Sequence, residues 1–180
     1  MIQTWLQPWL SADLSLISGF LTWIVVLSWL WRSGWKIQRR YFIEATQKPL
    51  TRNAIVWSAG IVGAIFFVAA QMRPGMPGVM TVAMIGALSA YVDARTHRLP
   101  NAYTVAMAIG VVLGLVVGGV ISPLWQERLL GALIGALIWF VPIALLNRMP
   151  GGMGGGDVKL APVLGALVGS VGLHAAVFAL

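Results

Sequence analysis

Apolar residues run along this chain in long unbroken blocks, not in the spaced stripe of a soluble helix or the alternation of a strand. Six blocks stand out: Leu14–Trp31, Ala54–Met72, Gly75–Val92, Ala102–Leu124, Leu129–Leu146 and Val158–Leu180. None holds an internal Asp, Glu, Lys or Arg except Lys159, near the start of the last. A bilayer-spanning helix takes roughly 20 mostly apolar residues. Lipid offers the backbone no hydrogen bonds, so helices are the spanning form that these blocks can take. The pattern predicts an all-α polytopic membrane protein of about six transmembrane helices, forming one membrane-embedded domain over residues 1–180. Only one gap between blocks is sizeable, Arg32 to Arg52, where Trp35, Tyr41, Phe42 and Ile43 interleave with basic residues. It reads equally as a segment lying on an anionic membrane surface and as a solvated linker.

Composition strengthens this picture. Of 180 residues, 59% are hydrophobic and 9% charged, against about 25% charged in a soluble domain. Cysteine is absent, which excludes disulfides, thiolate metal sites and a cysteine nucleophile. The formal charge of +7 would suit nucleic acid, but its placement explains it otherwise. Arg32, Lys36, Arg39, Arg40, Lys48, Arg52, Arg95, Arg98, Arg148 and Lys159 fall on one side of the predicted topology, and only Arg73 and Arg128 on the other. By the positive-inside rule the first, third and fifth connections face the cytoplasm and both termini lie outside. No nucleic-acid role is needed. Trp5, Trp9, Trp29, Trp31, Trp35 and Trp125 fall near predicted interfaces, where indole rings act as anchors. Gly86 with Ala90, and Gly110, Gly114, Gly118, Gly131 and Gly135, make small-residue faces suited to close helix packing.

Two of the five acidic residues matter most for chemistry. Asp93 closes the third block, in Asp-Ala-Arg-Thr-His-Arg-Leu-Pro-Asn, and Asp157 opens the sixth after Gly154-Gly155-Gly156. The topology sets both on the cytoplasmic side. Ionisable residues at membrane depth are costly and are functional candidates by default. Each also has a structural reading: an ion pair with Arg95 or Arg98 for Asp93, and a helix N-cap for Asp157. A facing pair of carboxylates sharing one proton supports aspartyl hydrolysis, one activating water and the other hydrogen-bonding the peptide carbonyl. Asp157 at a helix N-terminus is the expected anion, and Asp93 near a C-terminus the expected acid. The glycines would admit a substrate backbone and allow unusual dihedrals. Pro100 stops helical bonding, and Asn101 is expected to cap the fourth helix. His97 and His174 are too far apart in sequence to suggest a metal site, and no metal or organic cofactor is expected.

Asp-x(6)-Pro-Asn over Asp93 to Asn101, and Gly-x-Gly-Asp-Val-Lys over Gly154 to Lys159, resemble the type IV prepilin peptidases of the GxGD aspartyl protease group. The resemblance covers about 75–180. It implies Asp93 and Asp157 as catalytic, with Gly154, Gly156, Lys159, Pro100 and Asn101 as motif support. It implies a bacterial inner-membrane peptidase that removes the short basic leader of prepilins or pseudopilins at the cytoplasmic face. Larger relatives carry a four-cysteine cytoplasmic domain and also methylate the new N-terminus. This chain is similar to the short form without that domain, of which methyl transfer is not expected. Two rival readings stand beside it. One is a presenilin- or signal-peptide-peptidase-like protease, although Tyr91-Val-Asp93 spaces the Tyr-Asp motif by one extra residue. The other is a small transporter or assembly scaffold.

Overall fold

The computed structural model describes residues 3–70, 75–150 and 154–180, with side chains from residue 13 onward; the side chains of Trp5 and Trp9, and Arg73 and residues 151–153 altogether, lie outside this description. Helix is the only regular secondary structure among the described residues. Helix α1 spans Gln3–Trp29 and runs through one π-helical turn, Leu30–Gly34, into α2, Trp35–Glu44. Then follow α3 Arg52–Ala69, α4 Met76–Thr96, α5 Asn101–Ile121, α6 Trp125–Asn147, α7 Gly155–Gly169 and α8 Leu173–Phe178. Five stretches are long and apolar enough to cross a membrane: Asp13–Glu44, Arg52–Ala69, Met76–Thr96, Asn101–Ile121 and Trp125–Asn147. The all-α, multi-pass membrane architecture expected from the apolar blocks therefore holds.

Two expectations need correction. The sixth block is not one helix. It breaks after Gly169, where Ser170 Oγ donates to the Leu167 carbonyl at 2.6 Å and Gly172 leaves the helix in an extended conformation. At about 1.5 Å per residue, the 15 residues of α7 fall short of the ~30 Å hydrocarbon core. The short α8 is held within the same unit by Trp139, whose indole N–H donates to the Ala176 carbonyl at 2.9 Å. Second, the gap from Arg32 to Arg52 is mostly helix rather than loop. Its α2 is amphipathic, burying Gln38 and Phe42 while Ile43 and the basic residues stay exposed.

The helices group into two compact units, Met1–Ser122 and Pro123–Leu180. In the first, α4 is the centre, packed by α1, α2, α3 and α5. Of its apolar window 56% is buried, against 17–33% in the other spans. Met76, Met80, Met84, Ile85, Leu88 and Val92 make its buried face. Outward faces carry exposed residues such as Val25, Ile61, Ile65, Val112 and Val120, as a lipid-facing surface requires. Glycine allows α4 and α5 to touch: a Cβ on Gly114 would lie 2.8 Å from the Gly78 amide nitrogen, and one on Gly110 would run into Thr81. Gly75 caps α4 with φ at +95°, a conformation that glycine adopts without strain.

In the second unit α6 and α7 meet backbone to backbone. A Cβ on Gly135 would strike the Gly165 carbonyl, one on Gly131 the Gly169 carbonyl, and the reverse substitutions clash equally. Each helix thus supplies a small-xxx-small pair, Gly131/Gly135 against Gly165/Gly169. Gly155, at the start of α7, has nothing within 4 Å of its would-be Cβ. Gly135→Ala should therefore lower the unfolding midpoint in detergent, by the equivalent of about 1–3 kcal/mol of overpacking. Gly155→Ala should leave it unchanged or raise it.

Candidate active site

Asp93 sits in the last turn of α4, half-buried, with its carbonyl accepting the His97 amide at 2.7 Å. Helix α4 ends there because His97 takes a left-handed conformation, φ +50°, after which the chain runs extended to Pro100. Pro100 is buried and is itself the N-cap of α5, its carbonyl accepting the amides of Tyr103 at 3.0 Å and Thr104 at 3.3 Å. The cap expected of Asn101 is therefore made one residue earlier. Proline has no amide to lose, and its φ of −65° already suits a helix entrance. Asn101 becomes the first residue of α5. Two residues on, the buried Tyr103 donates its hydroxyl to the Gly34 carbonyl at 3.0 Å and meets Trp29 edge-on. The turn between the two motif residues Asp93 and Pro100 is thus anchored to the π-helical turn.

Helix α2 packs over the same end of α4. Phe42 stacks on Tyr91 with centroids 6.1 Å apart, and the Arg95 guanidinium also lies over the Tyr91 ring, 5.8 Å from its centroid. Gln47 donates to the Arg95 carbonyl at 2.8 Å, and Gln38 ties α2 to Leu50 through both its amide atoms. Glu44 accepts from Arg40 at 2.8 Å and from Arg98 at 2.5 Å. Among the described residues, Asp93 therefore has no ion pair: the arginines that its structural reading invoked are engaged elsewhere. The sequence reading missed this role of α2. Its signal was the i, i+4 pair Gln38 and Phe42 within an otherwise basic segment.

Asp157 is the third residue of α7, in its first turn and half-buried, with its amide donating to the Gly154 carbonyl at 3.1 Å. The N-cap is Gly154, not Asp157. Within the first turn, an aspartate still faces the positive end of the helix dipole. The unusual dihedrals expected of the glycines are absent at Gly154, whose φ of −65° and ψ of 148° any residue adopts. What glycine supplies here is room: Gly154 and Gly155 are exposed, and a Cβ on Gly154 would come 3.6 Å from Asp157 Oδ2. Gly156 is half-buried beside the carboxylate, and Lys159 is exposed one half-turn on. No ion pair to Asp157 occurs among the described residues.

Each carboxylate thus ends or begins a packed helix, partly shielded from solvent and with no ion pair among the described residues. Residues 79–180 match the model of the type IV leader peptidase family, which is more than half of the chain. This chain belongs to the type IV leader peptidase family. No curated protein and no solved structure matches it. The family makes the chain a peptidase, and the matched span takes in both Asp93 and Asp157. It begins inside α4, so α1, α2 and α3 lie ahead of the matched region although they pack around its first helix. Of the other polar residues, His97 is an exposed C-cap, and His174 is exposed on α8 beside a cavity of about 490 Å³ that Glu127 and Arg128 also line. No group of three or more metal-ligating side chains occurs among the described residues.

An apolar groove of about 330 Å³ between α3 and α4, lined by Ala54, Ser58, Met84, Leu88 and Tyr91 among others, ends two residues short of Asp93. The seating of α2 on Tyr91 fixes that end of the groove. Phe42→Ala removes a buried ring and should loosen the α2–α4 contact by about 3 kcal/mol. Faster amide hydrogen exchange over residues 38–50 in the detergent-solubilised protein, with α6 and α7 unchanged, is the expected readout.

Proposed function

We propose that this chain is an aspartyl endopeptidase of the bacterial cytoplasmic membrane that cuts the short basic leader from type IV prepilin-like proteins at the cytoplasmic face. In this reading residues 1–180 are a single membrane-embedded peptidase domain, and Asp93 and Asp157 are its catalytic carboxylates. The observation that carries it is the matched setting of the two carboxylates. Both lie in helix-terminal turns, half-buried and without a cation among the described residues, inside a chain of a peptidase family.

The chemistry follows from their helix positions. Asp157, in the first turn of α7, is favoured as the anion; Asp93, in the last turn of α4, is disfavoured as one and holds the shared proton. Asp157 takes a proton from water as the water oxygen attacks the scissile carbonyl carbon. Asp93 gives its proton to the carbonyl oxygen, and the resulting tetrahedral diol collapses as a proton passes to the leaving amine. The proton count belongs to the pair, which returns to a single shared proton after each cut. A substrate helix must unwind to expose the bond, and the exposed Gly154-Gly155 backbone supports this reading by leaving space for an extended strand. Lys159, Pro100 and Asn101 support the two turns. The groove beside Tyr91 offers the apolar helix of the substrate a place next to Asp93.

Asp93→Asn and Asp157→Asn should each lower cleavage of a co-expressed prepilin by about 10²–10⁴-fold at unchanged membrane levels. N-terminal sequencing of the product identifies the bond cut. Processing retained by either variant removes that carboxylate from the mechanism. Topology is tested on the naturally cysteine-free chain. A Gln126→Cys variant should react with a membrane-impermeant maleimide in intact cells, whereas Lys48→Cys should react only after permeabilisation.

A further inference from the structure

Arg95, His97 and Arg98 lie within a few residues of Asp93 and Arg40 on the packed helix α2, yet its carboxylate has no ion-pair partner among the described residues. Their positions explain why. On α4 itself, Arg95 is drawn over the Tyr91 ring, and Tyr91 in turn stacks on Phe42 of α2. His97 is exposed, in a left-handed backbone conformation. Arg98, in the turn leading from Asp93 to Pro100, reaches to Glu44 of α2, 54 residues away in sequence. The same Glu44 holds Arg40. Beyond these, the neighbouring elements carry Arg32, Lys36 and Arg39 on the π turn and α2, Lys48 in the connection, and Arg52 on α3. Lys36 lies by Trp35, and Arg52 stacks 3.8 Å from the Trp31 centroid. Helix α5 brings no charge.

The Glu44–Arg98 pair is exposed, with side chains 39% and 60% accessible. Exposed ion pairs add little to stability. What this pair changes is where a guanidinium sits, in the turn that carries Asp93. We propose that Glu44 is a positioning residue for the peptidase reaction: by holding Arg98 on α2, it keeps that cation off Asp93 and so preserves a carboxyl group that can hold the shared proton. The inference rests on the reading of Asp93 as half of the catalytic pair, with Asp157 the other half and Lys159 two residues beyond it.

The sign of the effect is determined. A cation released beside Asp93 favours the anion, lowers the proton affinity of the pair, and removes the shared proton at a lower pH. The experiment uses the full chain in lipid nanodiscs with a prepilin encoded in the same genome, and follows kcat/KM against pH for four variants. Glu44→Gln should move the alkaline limb to lower pH by about half a unit or more. Glu44→Gln combined with Arg98→Gln should return the limb to its wild-type position. Arg98→Gln alone should leave the limb in place, because Arg98 is already engaged by Glu44. Asp93→Asn should be inactive throughout. Activity lost in Glu44→Gln with no movement of the limb, or a limb not restored in the double variant, overturns the positioning role. If Glu44→Gln does not reach the membrane, the Arg98→Gln variant decides: an upward shift of its limb shows that Arg98 already acts on Asp93 and overturns the proposal. Activity in Asp93→Asn instead overturns the catalytic reading on which the inference rests.

Discussion

Helices in a bilayer gain nothing from the hydrophobic effect by touching one another, since lipid is as apolar as their own side chains. What brings them together here is the absence of side chains at chosen positions. Gly110 and Gly114 let α5 close on α4, and Gly131 with Gly135 lets α6 close on the Gly165 and Gly169 carbonyls of α7. Each candidate carboxylate rides on one of these helices. Asp93 ends α4, the most buried span, and Asp157 begins α7, whose partner contact is backbone on backbone. The helices that carry the two acids are thus packed through contacts in which neither acid takes part.

A second layer of control comes from outside the family-matched region. Helix α2 is not a passive basic linker: Phe42 and Gln38 bury one side of it, and Glu44 and Gln47 reach the α4 terminus. A strongly basic chain would be expected to neutralise any isolated carboxylate near its cytoplasmic connections. Instead the nearby guanidiniums are taken up by an aromatic ring and by a carboxylate on another helix. The placement of Arg98 and Arg95 at the end of α4 is therefore a property of α2 packed on α4.

Much of the membrane architecture was legible in the chain because its physical cause is local. Twenty or so apolar residues without charge can meet their backbone hydrogen bonds in lipid only by becoming a helix, so five spans follow from composition. The paired glycines four residues apart, and the two aspartate motifs, are also visible as spacing. The sixth block shows where this logic fails. Its apolar content licenses a span, but Ser170 and Gly172 divide it, and Trp139 gives the fragment α8 a place to rest. Hydropathy is blind to a break that a single carbonyl contact stabilises.

The amino-acid sequence by itself determined that this is a multi-pass helical membrane protein and singled out Asp93 and Asp157, because length, charge and motif spacing are one-dimensional quantities. Only the tertiary structure decided that Pro100 and Gly154, rather than Asn101 or Asp157, cap their helices, since a cap is set by the path of the backbone. It alone decided that Arg98 answers to Glu44 and Arg95 to Tyr91, because charge pairing depends on distance through space, and the 54-residue separation of Glu44 and Arg98 is closed by the packing of α2 on α4.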